Sequence, residues 1–339
     1  LPPTLKTPLA SLDTMFCSDS VKAAISGLSL DAVPGADGFP SEFLKLFVIR
    51  PAPGHDPDNP PDDDDESPGA AELARAERVI ALIVEVFHEF CSSRTLPPDW
   101  NVSITSLIHK KGSRSLLANY RPISVCPLVY KVYARCLADA LQHALPWLID
   151  DAQVACQSGK SCFANCRYVQ DLIHYADCVG LPGCLVFADA TKAFDRVQHG
   201  FLLRTFAAMG LPQPFIDAYA VLLAGATTRV KVNGFLGSHI SLRNSVRQGD
   251  PVAALAYLVS VQPLLSLLAV SSRVPYPVPD PNGVTRLVRL HGIPVPSLDG
   301  QSRVSRIAVA MADDIFCGLR DTMQLPDLKV AIAVHERAS

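Results

Sequence analysis

Three aspartates are the residues of this sequence best suited to chemistry. Asp189 closes the apolar run CLVFAD, and Asp313 and Asp314 stand side by side in VAMADDIFCG. Adjacent carboxylates repel each other and cost stability unless something cationic faces them. Phosphoryl transfer by two divalent ions roughly 3.5–4 Å apart demands such rigid carboxylates, drawn from neighbouring strands. Taken singly, each aspartate reads as well as a helix cap or the partner of a base. Asp189 lies 124 residues before Asp313, so any joint work has to be arranged by the fold.

Two further clusters have complementary chemistry. In NSVRQGDP, Gln248 and Gly249 precede Pro251, a residue suited to opening a helix. Backbone amides and a helix N-terminus there would suit an anion, or the ribose and base of a nucleotide; an ordinary helix-start turn has the same composition. In IHKKGSRSLLANYRPIS, Lys110, Lys111 and Arg121 are placed to reach a triphosphate, with solvated surface charge as the plain alternative.

The elements that must position these groups follow from patterning. Val102 to His109 reads as a strand, and GSRSLLANYRPIS reads as a loop. A helix is expected from about Pro40, another through AELARAERVIALIVEVFHEFCSSR, and a third from Leu128 to Leu145, ended near Pro146. A short, buried, wholly apolar strand from Cys184 to Ala188 would deliver Asp189. Helices from Phe201 to Met209 and from Gln213 to Leu223 lead to a hairpin turning at Asn233-Gly234. A helix from Pro251 to Ala269, a Pro-rich connection from Pro275 to Asp299 and the Asp-Asp hairpin complete the chain. Strands and helices mixed without strict alternation favour an α+β fold.

Composition bounds the rest. With 339 residues, 49% hydrophobic and 19% charged, the chain can bury a sizeable core as one lobed domain or two packed subdomains. The run from Val252 to Val270 is broken by Gln262, Pro263 and Ser266, so no membrane span is expected. With Leu1 at its start and no charged-then-apolar run after it, the sequence is expected to have no secretory signal and to be a piece of something longer. Ten cysteines without C-x-x-C spacing suit reduced thiols in an intracellular compartment. Cys156, Cys162 and Cys166 lack a His or further Cys at zinc spacing and read as ordinary thiols. The net charge of −3 is local in origin: residues 51–72 hold eight acids and no Lys or Arg, leaving 30 basic against 25 acidic residues, +5, elsewhere. That Pro-rich acidic stretch reads as a disordered loop, and the basic remainder is compatible with a polyanionic partner.

Read in order, these pieces resemble the reverse transcriptase domain of non-LTR (LINE-type) retroelements, related to group II intron enzymes, from about Pro34 to Leu319. PGADGFPSEFLK, IHKKG, NYRPIS, QVACQSGKSCFAN, FADATKAFDRVQH, VRQGDP and MADD are each similar to a motif of that family. The resemblance implies a right-hand polymerase fold with an antiparallel palm sheet packed on helices. Its parts would be an N-terminal segment and start of the fingers over 1–50, the acidic loop over 51–72, fingers over 73–180 and palm over 181–339. It implies RNA-directed DNA polymerisation: attack of a primer 3′-hydroxyl on the α-phosphate of a dNTP, with Mg²⁺ (two ions, Mn²⁺ possible) as cofactor. RNA template, DNA primer and dNTP would be the partners, acting inside the cell, in cytoplasm and nucleus.

Carried over residue by residue, Asp189, Asp313 and Asp314 would form the metal site with the carbonyl of Ala190. Phe194 would stand under the ribose 2′ position as a steric gate. Lys110 and Arg121 would hold the triphosphate, and Gln248 with Gly249 would pack against the incoming nucleotide and template. Ser339 follows Asp314 by 25 residues, too few for the family's thumb, which is expected to be missing. Met311, Ser245, Val252-Ala253-Ala254, Cys156 and Lys160 depart from the family's usual residues. The alternative is therefore a truncated, catalytically inactive relic that acts at most as a nucleic-acid-binding module.

Overall fold

The structure, a computed structural model, describes residues 9–48, 68–271, 276–279, 285–293, 295–296, 303–304 and 307–338. Its strands, numbered along the chain, are β1 (Val102–His109), β2 (Tyr120–Val125), β3 (Cys184–Asp189), β4 (Thr227–Val232) and β5 (Phe235–Ser241). They continue with β6 (Tyr276–Pro279), β7 (Thr285–Val288), β8 (Val295–Pro296), β9 (Arg303–Val304), β10 (Ala308–Met311) and β11 (Asp314–Leu319).

A four-stranded sheet in the order β2-β1-β4-β5 is built around β1, which pairs antiparallel with β2 and parallel with β4. The strand expected from VSITSLIH forms with those bounds. Its small hydroxyls make it central: Thr105 Oγ1 lies 2.9 Å from Ser124 Oγ on β2 and 2.7 Å from Thr228 Oγ1 on β4. Thr228 Oγ1 also donates to the Ser103 carbonyl at 3.1 Å, so the buried polar stripe is satisfied. Asn233 and Gly234 turn β4 into β5 with φ of 50° and 87°, the paired left-handed conformations of a type I′ hairpin. This sheet thus joins strands on both sides of residue 180.

The loop expected through NYRPIS is instead the edge strand β2, with Pro122 opposite Leu107. Proline lacks an N–H to donate, and an edge strand tolerates that on its unpaired side. The helix expected to stop near Pro146 runs Leu128–Leu148, because a proline in the last turn removes a single backbone bond there while thirteen buried side chains hold the helix in place. The helix preceding β1 starts at Pro68, inside the stretch assigned to the acidic loop; the rest of that loop lies outside the described residues. Near the N-terminus, Pro40 caps a single short helix, Ser41–Lys45. Within the Pro-rich connection, β6 and β7 pair antiparallel.

The core is helical. Tyr133 stacks on Phe16 at 4.6 Å and meets Phe87 edge-on at 5.1 Å, tying Leu128–Leu148 to the Pro68–Ser93 helix and the N-terminal segment. The helix Ala253–Ser271 begins two residues after Pro251 and passes through Pro263 unbroken. Its stretch Ala253–Val270 is long and apolar enough to cross a bilayer by length and composition, yet 67% of it is buried within the protein. Gln262, expected to interrupt the run, is used inside it: Oε1 accepts from the Asp150 N–H and Nε2 donates to Ser266 Oγ, each at 3.0 Å.

The helix Leu325–Ala338 packs on Ala253–Ser271 and carries His335, whose ring lies edge-on to Phe201 at 5.7 Å. Burial pushes the imidazole down to about 4. The unfolded chain therefore binds this proton first, and His335 withdraws stability as pH falls from about 6.5 towards 4, by at most about 3 kcal/mol. Melting temperatures of wild type and His335→Leu from pH 7 to 4.5 are expected to diverge, the variant falling less steeply. Parallel curves would remove His335 from acid sensitivity.

Candidate active site

A second sheet, in the order β10-β11-β3, brings the aspartates together. β3 pairs antiparallel with β11 in a register that sets Asp189 directly opposite Asp314, with Phe187 opposite Phe316 two residues deeper. Facing residues of an antiparallel pair share one side of the sheet with Cβ atoms about 4.5–5.5 Å apart. Asp313 occupies the turn between β10 and β11, next to Ala312, whose φ of 54° is left-handed. β3 is less buried than its apolar sequence suggests. It is an edge strand, and Phe187 is 75% exposed beside Asp189.

Electrostatics register this convergence. Burial raises the Asp313 carboxyl above the usual range, and the charges of Asp314 and Asp189 add to the rise; a bond from its own backbone and Lys110 act against it. Burial raises the Tyr257 hydroxyl as well, reinforced by all three aspartates. Among the described residues no three His, Cys, Asp or Glu side chains close on one point. Strand pairing nevertheless sets the backbones of Asp189 and Asp314 opposite each other, with Asp313 in the adjoining turn. Three hard oxygen donors on rigid backbone fit a divalent cation of the Mg²⁺ class.

Of the other residues singled out from the sequence, Phe194 and Lys110 are linked to the aspartates, Phe194 through Tyr257 and Lys110 by its charge. Phe194, in the helical turn Ala193–Arg196, stacks on Tyr257 with ring centres 4.7 Å apart and planes 15° from parallel. Lys110 directly follows β1, its N–H bonded to the Asn119 carbonyl at 2.8 Å, and its charge reaches Asp313. Arg121, expected in a loop, lies on β2 opposite Ile108, at the same end of the β1–β2 pair as Lys110. Ala190 is exposed immediately beyond β3.

Gln248 and Gly249 are held against β2. The Ser124 N–H donates to the Gln248 carbonyl at 2.7 Å, and Gly249 has φ +108°. A Cβ on Gly249 would stand 2.3 Å from the Ser124 carbonyl oxygen, so only glycine allows this approach. Sequence reading missed what anchors the turn from behind. Arg247 is buried, donates to the Asn101 carbonyl at 3.2 Å and to Cys126 Sγ at 3.7 Å, and lies over the Tyr130 ring at 5.1 Å. Asp250 accepts from the Tyr130 hydroxyl and, at 3.0 Å, from the Val252 N–H; burial raises its carboxyl. Charged residues in a loop motif read as solvent-facing, and only three-dimensional packing reveals Arg247 as buried and Asp250 as half-buried.

The profile of the family described as reverse transcriptase (RNA-dependent DNA polymerase) matches residues 108–334. The chain is 27% identical over 257 residues to the transposon TX1 uncharacterized 149 kDa protein of Xenopus laevis, covering 76% of this chain and 18% of that protein. It is 27% identical over 226 residues to the probable RNA-directed DNA polymerase from transposon X-element of Drosophila melanogaster, covering 64% and 24%. Over 174 residues it is 26% identical to the Pol polyprotein of a type-1 R2 retrotransposable element of Popillia japonica, covering 51% and 24%. The chain thus spans at most about a quarter of these curated relatives. A family match across about two thirds of the sequence, with its acidic motifs meeting on one sheet, makes the chain a member of the reverse transcriptase family, as the polymerase domain of a non-LTR retroelement.

Proposed function

We propose that the carboxylate sheet end performs RNA-templated DNA synthesis, joining a primer 3′-hydroxyl to the α-phosphate of a dNTP with release of pyrophosphate. The observation that carries this reading is the cross-strand pair Asp189–Asp314 with Asp313 in the adjoining turn. Asp189, Asp313, Asp314 and the Ala190 carbonyl would hold two Mg²⁺ ions, or Mn²⁺ in their place. When bound, such ions acidify the attacking hydroxyl and neutralise the leaving pyrophosphate. The chain's own residues do the rest. Lys110 and Arg121, at one end of the β1–β2 pair, draw the triphosphate. Gln248 and Gly249, pinned to β2, pack against nucleotide and template. Phe194, made rigid by its stack on Tyr257, excludes a ribose 2′-hydroxyl. RNA template and DNA primer place this work inside the cell, in cytoplasm and nucleus.

Primer extension on an RNA template by the full-length protein tests the reading. Extension is expected with Mg²⁺ and dNTP, and its absence from folded wild-type protein would sink the proposal. Phe194→Val is expected to raise ribonucleotide use relative to deoxynucleotide by about tenfold or more. An unchanged sugar preference would release Phe194 from the gate role.

One observation favours the relic reading. Ser245, where the family usually has Gly, sits at φ 93°, a conformation that costs a side-chain-bearing residue on the order of 1–3 kcal/mol. A copy that keeps its metal ligands while accumulating such strain fits a retroelement losing selection.

A further inference from the structure

We propose that Gln153 is a positioning residue whose side-chain amide clamps the backbone of Ala312 and so fixes the turn that presents Asp313 and Asp314. The inference rests on the carboxylate reading above for its functional consequence, and on side-chain geometry for the clamp itself.

The turn needs outside support. Met311 and Asp314 end the β10–β11 ladder, which leaves the Ala312 peptide groups outside it. Ala312 also holds a left-handed φ of 54°. An alanine adopts that conformation at a cost and keeps it where its surroundings over-determine it. Gln153 supplies that determination. It is fully buried, its Oε1 accepts from the Ala312 N–H at 2.8 Å, and its Nε2 donates to the Ala312 carbonyl at 3.2 Å. Both polar groups of one residue are thus satisfied by both ends of one side chain. Oε1 accepts in addition from the Ala155 N–H at 3.1 Å, which fixes the amide's orientation.

The clamp is itself braced. Residues 152–154 lie beside β10 as a short parallel bridge, with the Ala310 N–H donating to the Ala152 carbonyl at 2.7 Å and the Val154 N–H to the Ala310 carbonyl at 3.1 Å. Asn165 Nδ2 reaches the Ala310 carbonyl at 2.9 Å and the Ala152 carbonyl at 3.2 Å. Gln157 Nε2 donates to the Gln153 carbonyl at 2.6 Å. The side-chain chemistry is specific. Glutamine has one donor group and one acceptor at this reach, glutamate lacks the donor, methionine lacks both, and asparagine is one methylene too short.

Hydrogen exchange in the full-length protein, read on fragments that isolate the Ala312 amide, tests the clamp without reference to activity. Ala312 is expected to exchange as slowly as Ile315 and Phe316, although it belongs to a two-residue turn. Exchange at the rate of an open turn in wild type would overturn the proposal before any variant is made. In Gln153→Met, protection at Ala312 should vanish while protection along β11 persists. The Mg²⁺-induced rise in melting temperature should shrink, and kcat should fall by up to about a hundredfold with the KM for dNTP within about threefold. Unchanged exchange at Ala312 would overturn the clamp. Lost protection with the Mg²⁺ response and kcat both intact would overturn its positioning role. Gln153→Glu, which keeps the acceptor, should retain most of the protection and recover part of kcat; a value as low as that of Gln153→Met would count against the clamp. If Asp313→Asn proves fully active, the carboxylate reading fails separately, while the exchange result still decides whether Gln153 holds the turn.

Discussion

Asp313→Asn is expected to leave the metal-free protein as stable as wild type or slightly more so, while abolishing both its stabilisation by Mg²⁺ and its polymerisation. Asp313 carries its charge at a cost, since burial and the neighbouring charges of Asp314 and Asp189 all favour its neutral form. An amide removes that repulsion. The same amide is a poor ligand for a hard cation, and several kcal/mol of transition-state stabilisation lost at this position corresponds to a fall of about a thousandfold or more in rate. A purely structural carboxylate behaves in the opposite way, because removing a cap or an ion-pair partner costs about 1–3 kcal/mol whether or not metal is present. Thermal melts of wild type and variant, each with and without Mg²⁺, separate the two. Equal destabilisation in both conditions would refute the metal site and move the relic reading ahead.

Gly249→Ala is expected to be among the most damaging single methyl additions in the chain. The new Cβ would meet the Ser124 carbonyl oxygen at 2.3 Å, a backbone atom of β2 that cannot swing aside. The φ of +108° adds strain for any L side chain. Ser124 donates its N–H to the Gln248 carbonyl, so relieving the clash means separating the turn from β2 and breaking that bond. Together these effects amount to about 3 kcal/mol or more, a drop in melting temperature of about 4 °C or more for a chain of 339 residues. The KM for dNTP should rise with it, because Gln248 moves with the turn. A melting temperature within a degree of wild type would show that the turn does not depend on contact with β2.

Much of the local structure follows from sequence alone. The Asn233-Gly234 hairpin, the β1 strand and the helix Gln213–Leu223 form where their turn chemistry and periodicity predict, because backbone conformation there depends on neighbours a few residues away. The order and composition of the acidic, basic and glycine-bearing motifs are equally local, and they carry the family resemblance. Other features depended on distant partners. Pro122 lies within a strand because β2 is an edge, and Pro146 stays helical because the last turn of its helix is held by burial. β3 is apolar yet half exposed, since among the described residues no strand pairs along its outer edge. Arg247 turned out to be buried and Asp250 half-buried, as Asn101, Cys126 and Tyr130 pack against them. Asp189 and Asp314 are 125 positions apart, and no local pattern encodes the register of strands so far separated. That register is chosen by which faces of β3 and β11 bury their side chains, since a slip of one residue would turn one carboxylate to the opposite side of the sheet. The sequence by itself determined which residues were available for the chemistry, and long-range packing decided that they meet.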